Sequence, residues 1–149
     1  MVTTVGTEAS LDGLLEDLIQ LDHDAADAYQ AAIERIERAD RRETLRLFKE
    51  DHLRHTRELG DCLRELGREP PEEGDFKSFL TQGKVVIAAL AGDDAILEAV
   101  RSNEADTNTA YERALQFKGL PADVEPVLQR GLEDERRHCD WVLRQLGRR

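Results

Sequence analysis

Leu11, Leu15, Leu18, Ala25, Tyr29, Ala32 and Ile36 recur mostly at spacings of three and four, the period of one buried helix face. Ser10 stands where an N-cap belongs, so a first helix is predicted from about Leu11 to Arg38. Asp40 followed by Glu43 has the spacing of a capping box, which starts a second helix near Arg41 after a turn of about two to three residues. Its inward stripe is Leu45, Phe48, Leu59, Leu63 and Leu66, and Gly67 ends it. So short a turn makes these two helices antiparallel neighbours.

Pro70-Pro71-Glu72-Glu73-Gly74 cannot continue a helix. Beyond it, about Phe76 to Leu90 reads as a shorter helix with Phe79, Leu80, Val86, Ile87 and Leu90 on its apolar side. Val85-Val86-Ile87 also suits a strand, but a single short strand has no partner in this chain. Gly92, Asp93 and Asp94 break the segment and cap a helix from about Asp94 to Phe117, with Leu97, Val100, Tyr111 and Leu115 inward. Gly119 and Pro121 separate it from a last helix over about 123–146, with Pro126 in its first turn and Leu128, Leu132, Val142 and Leu146 inward. The 26-residue link from Gly67 to Gly92 is long enough to return the chain along the bundle, so the second and third long helices run parallel. The expected fold class is all-α: a four-helix bundle with a long, partly helical crossover, in one domain spanning 1–149.

The positions that break this pattern carry the chemistry. Asp22 interrupts the first stripe, His52 and His55 the second, Glu104 with Thr107 the third, and Glu135 with His138 the fourth. Residues three apart share a helix face, and each of these lies near the middle of its helix. In antiparallel hairpins such positions meet at one level, so six polar groups should form a single layer between leucine-rich layers. A weak internal repeat supports this. Asp22 is followed seven residues later by Tyr29 and Glu104 by Tyr111, while Asp22 to His55 is 33 residues and Glu104 to His138 is 34. Two half-sites related by an approximate two-fold follow.

Unpaired carboxylates and imidazoles cost several kcal/mol to bury, a cost that divalent cations offset. Asp22, His52, His55, Glu104, Glu135 and His138 are therefore the candidate ligands for one or two ions of iron, manganese or zinc, all of which accept mixed oxygen and nitrogen donors. Tyr29 and Tyr111 are the candidate catalytic residues, as hydrogen-bond donors to ligand oxygens or in electron transfer. Asp51 is expected to point outward, with a small helix rotation making it a further ligand, and the direction of His23 stays open. The bland reading of the same residues is a metal-free polar network or a groove for a partner.

Charge narrows the partners. The chain has 32 acids against 21 Lys and Arg, a net charge of −11, which opposes binding to nucleic acid. Eight of those acids lie in the first 34 residues with no Lys or Arg among them, a face repulsive to anionic membranes. No apolar stretch is long enough to cross a bilayer, and the first residues lack signal-peptide character, so a soluble cytoplasmic protein is expected. Cys62 and Cys139 read as reduced structural residues. The run Arg35, Arg38, Arg41 and Arg42 reads as a solvated helix end.

Asp22, the pair His52 and His55, Glu104, and Glu135-Arg136-Arg137-His138 together resemble the ferritin-like superfamily. Leu66-Gly67-Arg68-Glu69-Pro70, Gly74-Asp75-Phe76, Ala91-Gly92-Asp93-Asp94 and the stretch 104–115 resemble more narrowly a small bacterial group of it, the PA2169-type domain family of unassigned function, over roughly residues 11–146. The resemblance implies di-iron or di-manganese oxidoreductase chemistry on oxygen or peroxide. The superfamily's second helix normally offers Glu-x-x-His. Here His52 takes the glutamate's place, and Asp22 is shorter than the usual glutamate, changes that favour a single ion or zinc. The competing function is a non-enzymatic helical module that mediates protein–protein interaction or homodimerisation. Metal content of the purified protein separates the two.

Overall fold

The computed structural model describes residues 3–72 and 81–148. Five α-helices are present, with no strand among the described residues: α1 Leu11–Ile33, α2 Ala39–Glu65, α3 Thr81–Ala89, α4 Asp93–Ala114 and α5 Val124–Gln145. The expectations for Phe76, Phe79 and Leu80 lie outside the described residues.

Ser10 caps α1 as its type predicts, accepting a hydrogen bond from the Gly13 amide at 3.2 Å. The helix ends five residues earlier than expected, at Ile33. No glycine stops it; the break is held by Asp93, far along the chain, and by Arg42 at the start of α2. Asp93 accepts from the amides of Glu37 at 2.8 Å and Arg38 at 3.4 Å, Arg42 donates to the Ile36 and Glu37 carbonyls at 2.9 and 2.7 Å, and Ile36 is buried beneath them. The predicted capping box is also corrected: the N-cap of α2 is Arg38, and Asp40 lies inside the first turn, paired with Arg38 at 2.7 Å. The carboxylate at this corner comes from the start of α4, far along the chain.

Gly67 and Gly147 close α2 and α5 in the same way. Their positive φ of 80° and 72° lets the chain fold back so that Arg68 donates to Leu63 and Arg148 to Leu143, at 3.0 and 2.8 Å. Pro126 sits in the first turn of α5, where a missing N–H costs nothing.

Side-chain pairs fix the directions. Asp22 of α1 meets Tyr111 of α4 and Tyr29 meets Glu104, so these helices are antiparallel. His55 of α2 meets Asp134 of α5 and Asp51 meets His138, giving a second antiparallel pair. With α1 antiparallel to α2 as well, α2 and α4 run parallel and stand on the diagonal. The crossover helix α3 lies on α1 and α4. It buries Ile87 completely and leaves Val85 and Val86 in solvent, which corrects the expectation for Val86. Leu66, expected inward, is likewise exposed at the fraying end of α2.

The core divides into two apolar clusters. One gathers Leu14, Leu15, Leu18, Leu59, Leu63, Leu128 and Leu132, the other Ile33, Leu45, Phe48, Ile87, Ile96, Leu97, Val100 and Val142. Each fully buried aliphatic side chain contributes ~1.5–3 kcal/mol. Between the clusters, at the middle of all four long helices, lies the polar layer.

Candidate metal centre

All six sequence-predicted ligands reach this layer, each at 3 % exposure or less. They form two interlocked clusters that share His52 and Glu135. In the first, Asp22 Oδ1 lies 2.8 Å from His52 Nδ1 and 3.2 Å from His55 Nδ1. Glu135 Oε1 lies 3.4 and 3.5 Å from the same two nitrogens. In the second, Glu104 Oε1 lies 3.4 Å from His52 Nε2 and 3.6 Å from His138 Nδ1, and Glu135 Oε2 lies 3.8 Å from His138 Nδ1. Four donors at such spacings approximate the edges of a tetrahedron, ~3.3 Å for bonds of ~2.0–2.1 Å.

Helix period places these groups. His52 with His55 and Glu135 with His138 are one turn apart on α2 and α5, while Asp22 and Glu104 enter from α1 and α4. The tyrosines cross-brace the layer: Tyr29 donates to Glu104 Oε1, and Tyr111 donates to Asp22 Oδ2 at 2.6 Å. Thr107 donates to Glu135 Oε2 at 2.8 Å.

Two further carboxylates stand behind the layer: Asp51, expected outward or as a further ligand, and Asp134, which the sequence does not single out. Asp134 Oδ2 lies 2.9 Å from His55 Nε2, and Asp51 Oδ2 lies 2.9 Å from His138 Nε2. An Nε2–H donated outward turns each Nδ1 into the layer, the device that orients metal-ligating histidines. Asp51 is thus neither a ligand nor simply solvated; it holds a ligand candidate from behind. Arg54 and Arg137 tie both aspartates down, Arg137 at 2.7 Å from Asp51 and 2.9 Å from Asp134, Arg54 at 3.1 Å from Asp51 and in contact with Asp134. The signal was available: Asp51-His52-Leu53-Arg54-His55 and Asp134-Glu135-Arg136-Arg137-His138 share Asp, Arg and His at matching places. His23 lies outside both clusters and lines a surface groove with Thr56 and Arg57.

Electrostatics mark the layer as a trap for positive charge. Burial opposes ionisation of Asp22, but the imidazoles of His55 and His52 outweigh it and bring its carboxyl down to about 2. Glu104 is held well below its ordinary value by His138 and His52 against the same burial. Burial disfavours imidazolium at His52, yet Glu135, Asp22 and Glu104 raise it to about 10. His55 rises to about 12 through Asp22 and Asp134, again against burial. Glu135 is pushed up by burial and by Glu104. Burial and the facing carboxylates keep Tyr29 and Tyr111 protonated, well above the usual phenol range.

The donor set fits a metal on a further observation: Glu135 Oε1 and His138 Nδ1 are fully buried and have no hydrogen-bond partner. Buried polar atoms are almost always satisfied; a cation in the first cluster would satisfy Glu135 Oε1 and one in the second His138 Nδ1. Among the described residues, no helix is long and apolar enough to cross a membrane. Cys62 and Cys139 are free, the first buried and the second half-buried.

Compared with known proteins, the chain matches no curated protein and no solved structure. It matches one family model, the domain of unknown function DUF2383, over residues 13–117. That span holds Asp22, Tyr29, His52, His55, Glu104 and Tyr111, with Glu135 and His138 beyond it on α5. The chain belongs to the DUF2383 family, a ferritin-like four-helix-bundle domain of unassigned function.

Proposed function

We propose that this chain is a metalloprotein whose central layer holds two first-row divalent ions, and that with iron or manganese it acts as a cytoplasmic oxidoreductase on dioxygen or peroxide. The observation that carries the reading is the pair of interlocked clusters, with Glu135 Oε1 and His138 Nδ1 buried and without a hydrogen-bond partner. Asp22 and His55 would hold one ion, Glu104 and His138 the other, and His52 and Glu135 lie between them. Bound iron or manganese supplies one-electron redox changes and Lewis acidity. Zinc suits the same donors for binding without redox chemistry.

The chain's own residues do the rest. Asp51 and Asp134 fix the histidine rings from outside. Tyr29 and Tyr111 orient Glu104 and Asp22 and keep a phenolic proton at each carboxylate, which makes them the residues for proton or electron supply. The two apolar clusters keep bulk water from the layer. A cavity of about 10 Å³ beside Glu104, lined by Ala25, Ala28, Tyr29 and Val100, has room for one water-sized molecule, which suits a small oxygen species.

The test is to strip the protein, reload it anaerobically with Fe(II) or Mn(II), and follow consumption of dissolved oxygen or hydrogen peroxide. Turnover that is lost in Glu104→Ala supports the oxidoreductase reading. Loaded protein that leaves both oxidants untouched contradicts it, and a folded protein that takes up no metal supports the non-enzymatic helical module instead.

A further inference from the structure

Among the six ligand candidates only His52 and Glu135 differ in kind across the two-fold, and the two ring nitrogens of His52 face different clusters. Nδ1 looks toward Asp22 and Glu135 Oε1, at 2.8 and 3.4 Å. Nε2 looks the other way, 3.4 Å from Glu104 Oε1. Its counterpart Glu135 does the same with two oxygens, Oε1 facing His55 at 3.5 Å and Oε2 facing His138 at 3.8 Å. Both residues occupy the place that follows the aspartate in the repeated Asp-x-x-Arg-His segment, and both belong to both clusters. A residue in that place spans the pair whichever half of the chain supplies it.

We infer that His52 links the two ion positions through both ring nitrogens, so that the centre is bridged on one side by an imidazolate and on the other by the Glu135 carboxylate. This rests on the proposed dinuclear centre and goes beyond it by setting how far apart the ions stand and which ions suit the site. The two nitrogens point away from each other across the ring. Ions bound at both are therefore held farther apart than the ~3.5–4 Å of ordinary two-metal sites, with Glu135 offering one oxygen to each ion. Engaging both nitrogens leaves no N–H on the ring, and each ring proton displaced leaves to bulk water. Asp22, Glu104 and Glu135 with the imidazolate then carry four negative charges, which match two divalent ions in an interior where net charge is costly to bury. Four protein donors around each position favour tetrahedral ions, zinc above all.

Zn(II) added to the full-length stripped protein is the probe, read by zinc content and by anomalous diffraction at the zinc edge. Two zinc ions per chain, separated by clearly more than ~4 Å and both in contact with the His52 ring, are expected. His52→Glu should keep two ions and bring them closer. Two ions at carboxylate-bridge separation in the wild type, or a His52 ring that contacts only one of them, overturn the imidazolate bridge while leaving the metal centre standing. A single zinc per chain also overturns it. Protein that binds no zinc, iron or manganese overturns the centre itself. The wild-type measurement decides between these outcomes even where His52→Glu does not fold.

Discussion

In the first half of the chain Asp22, Tyr29, Asp51, Arg54 and His55 occupy the places that Glu104, Tyr111, Asp134, Arg137 and His138 occupy in the second. The correspondence is functional as well as positional, because each half completes the other. The tyrosine of one half holds the acid of the other, and the outer aspartate of one half holds the histidine of the other. The halves part company at two places. His52 faces Glu135 across the shared centre, and Phe48, stacked on His138 with ring centroids 4.1 Å apart, corresponds to Gly131, where the Tyr111 ring takes the space. The peripheral parts therefore repeat while the shared parts do not. A second shared glutamate would crowd a fourth carboxylate into a layer already holding three buried ones, whereas the imidazole of His52, against its burial, is raised to about 10 by those carboxylates and offsets their charge while no cation is bound.

Removing a shared residue should break both halves at once, and this is the largest effect expected. Glu135→Ala takes one donor from each cluster, so metal content by elemental analysis should fall to near zero while helical circular dichroism is retained. A variant that still carries two ions contradicts the shared role. Removing a terminal histidine should instead break one half: His55→Ala and His138→Ala should each lose one equivalent and weaken the other. Loss of both ions from one variant and none from the other would show that the halves are not equivalent.

Next come the outer aspartates. Asp134→Asn and Asp51→Asn leave every inward donor in place, and each should lower metal affinity by ~10–100-fold, measurable by competition with a chelator. Similar losses in the two variants support the two-fold; a loss confined to one marks the other aspartate as structural. Gly131→Ala probes the steric difference between halves. An added Cβ meets the Tyr111 ring, so overpacking should lower stability by ~1–3 kcal/mol in denaturant unfolding and loosen the Tyr111 hydrogen bond to Asp22. The smallest effect on metal binding is expected of Tyr111→Phe, which keeps the stoichiometry and costs ~1.5–3 kcal/mol of stability for the lost bond to a buried carboxylate.

Helical periodicity made the interior legible. Asp22, His52, His55, Glu104, Glu135 and His138 stood out because each interrupts an apolar stripe, and all six lie in one buried layer. The sequence singles out Asp51 but not what it holds, and gives no sign of Asp134, for a physical reason: both flank the stripe, where a charged residue ordinarily faces water, and only contact between α2 and α5 shows their histidine partners. The end of α1 was missed because its stop signal is tertiary. Asp93 and Arg42 supply the hydrogen bonds at that corner, and no residue near Ile33 announces it. Leu66 continues the apolar stripe of α2 and Val86 belongs to the apolar side expected of α3, yet Leu66 lies past the end of α2 and both are exposed.

The account depends on one layer of six side chains sharing cations, and the metal content of the purified full-length chain tests this most directly. Elemental analysis should return two equivalents of iron, manganese or zinc per chain, as isolated or after loading, and fewer in His55→Ala. Cooperatively folded protein that holds none of the three and takes up none when they are supplied would contradict it.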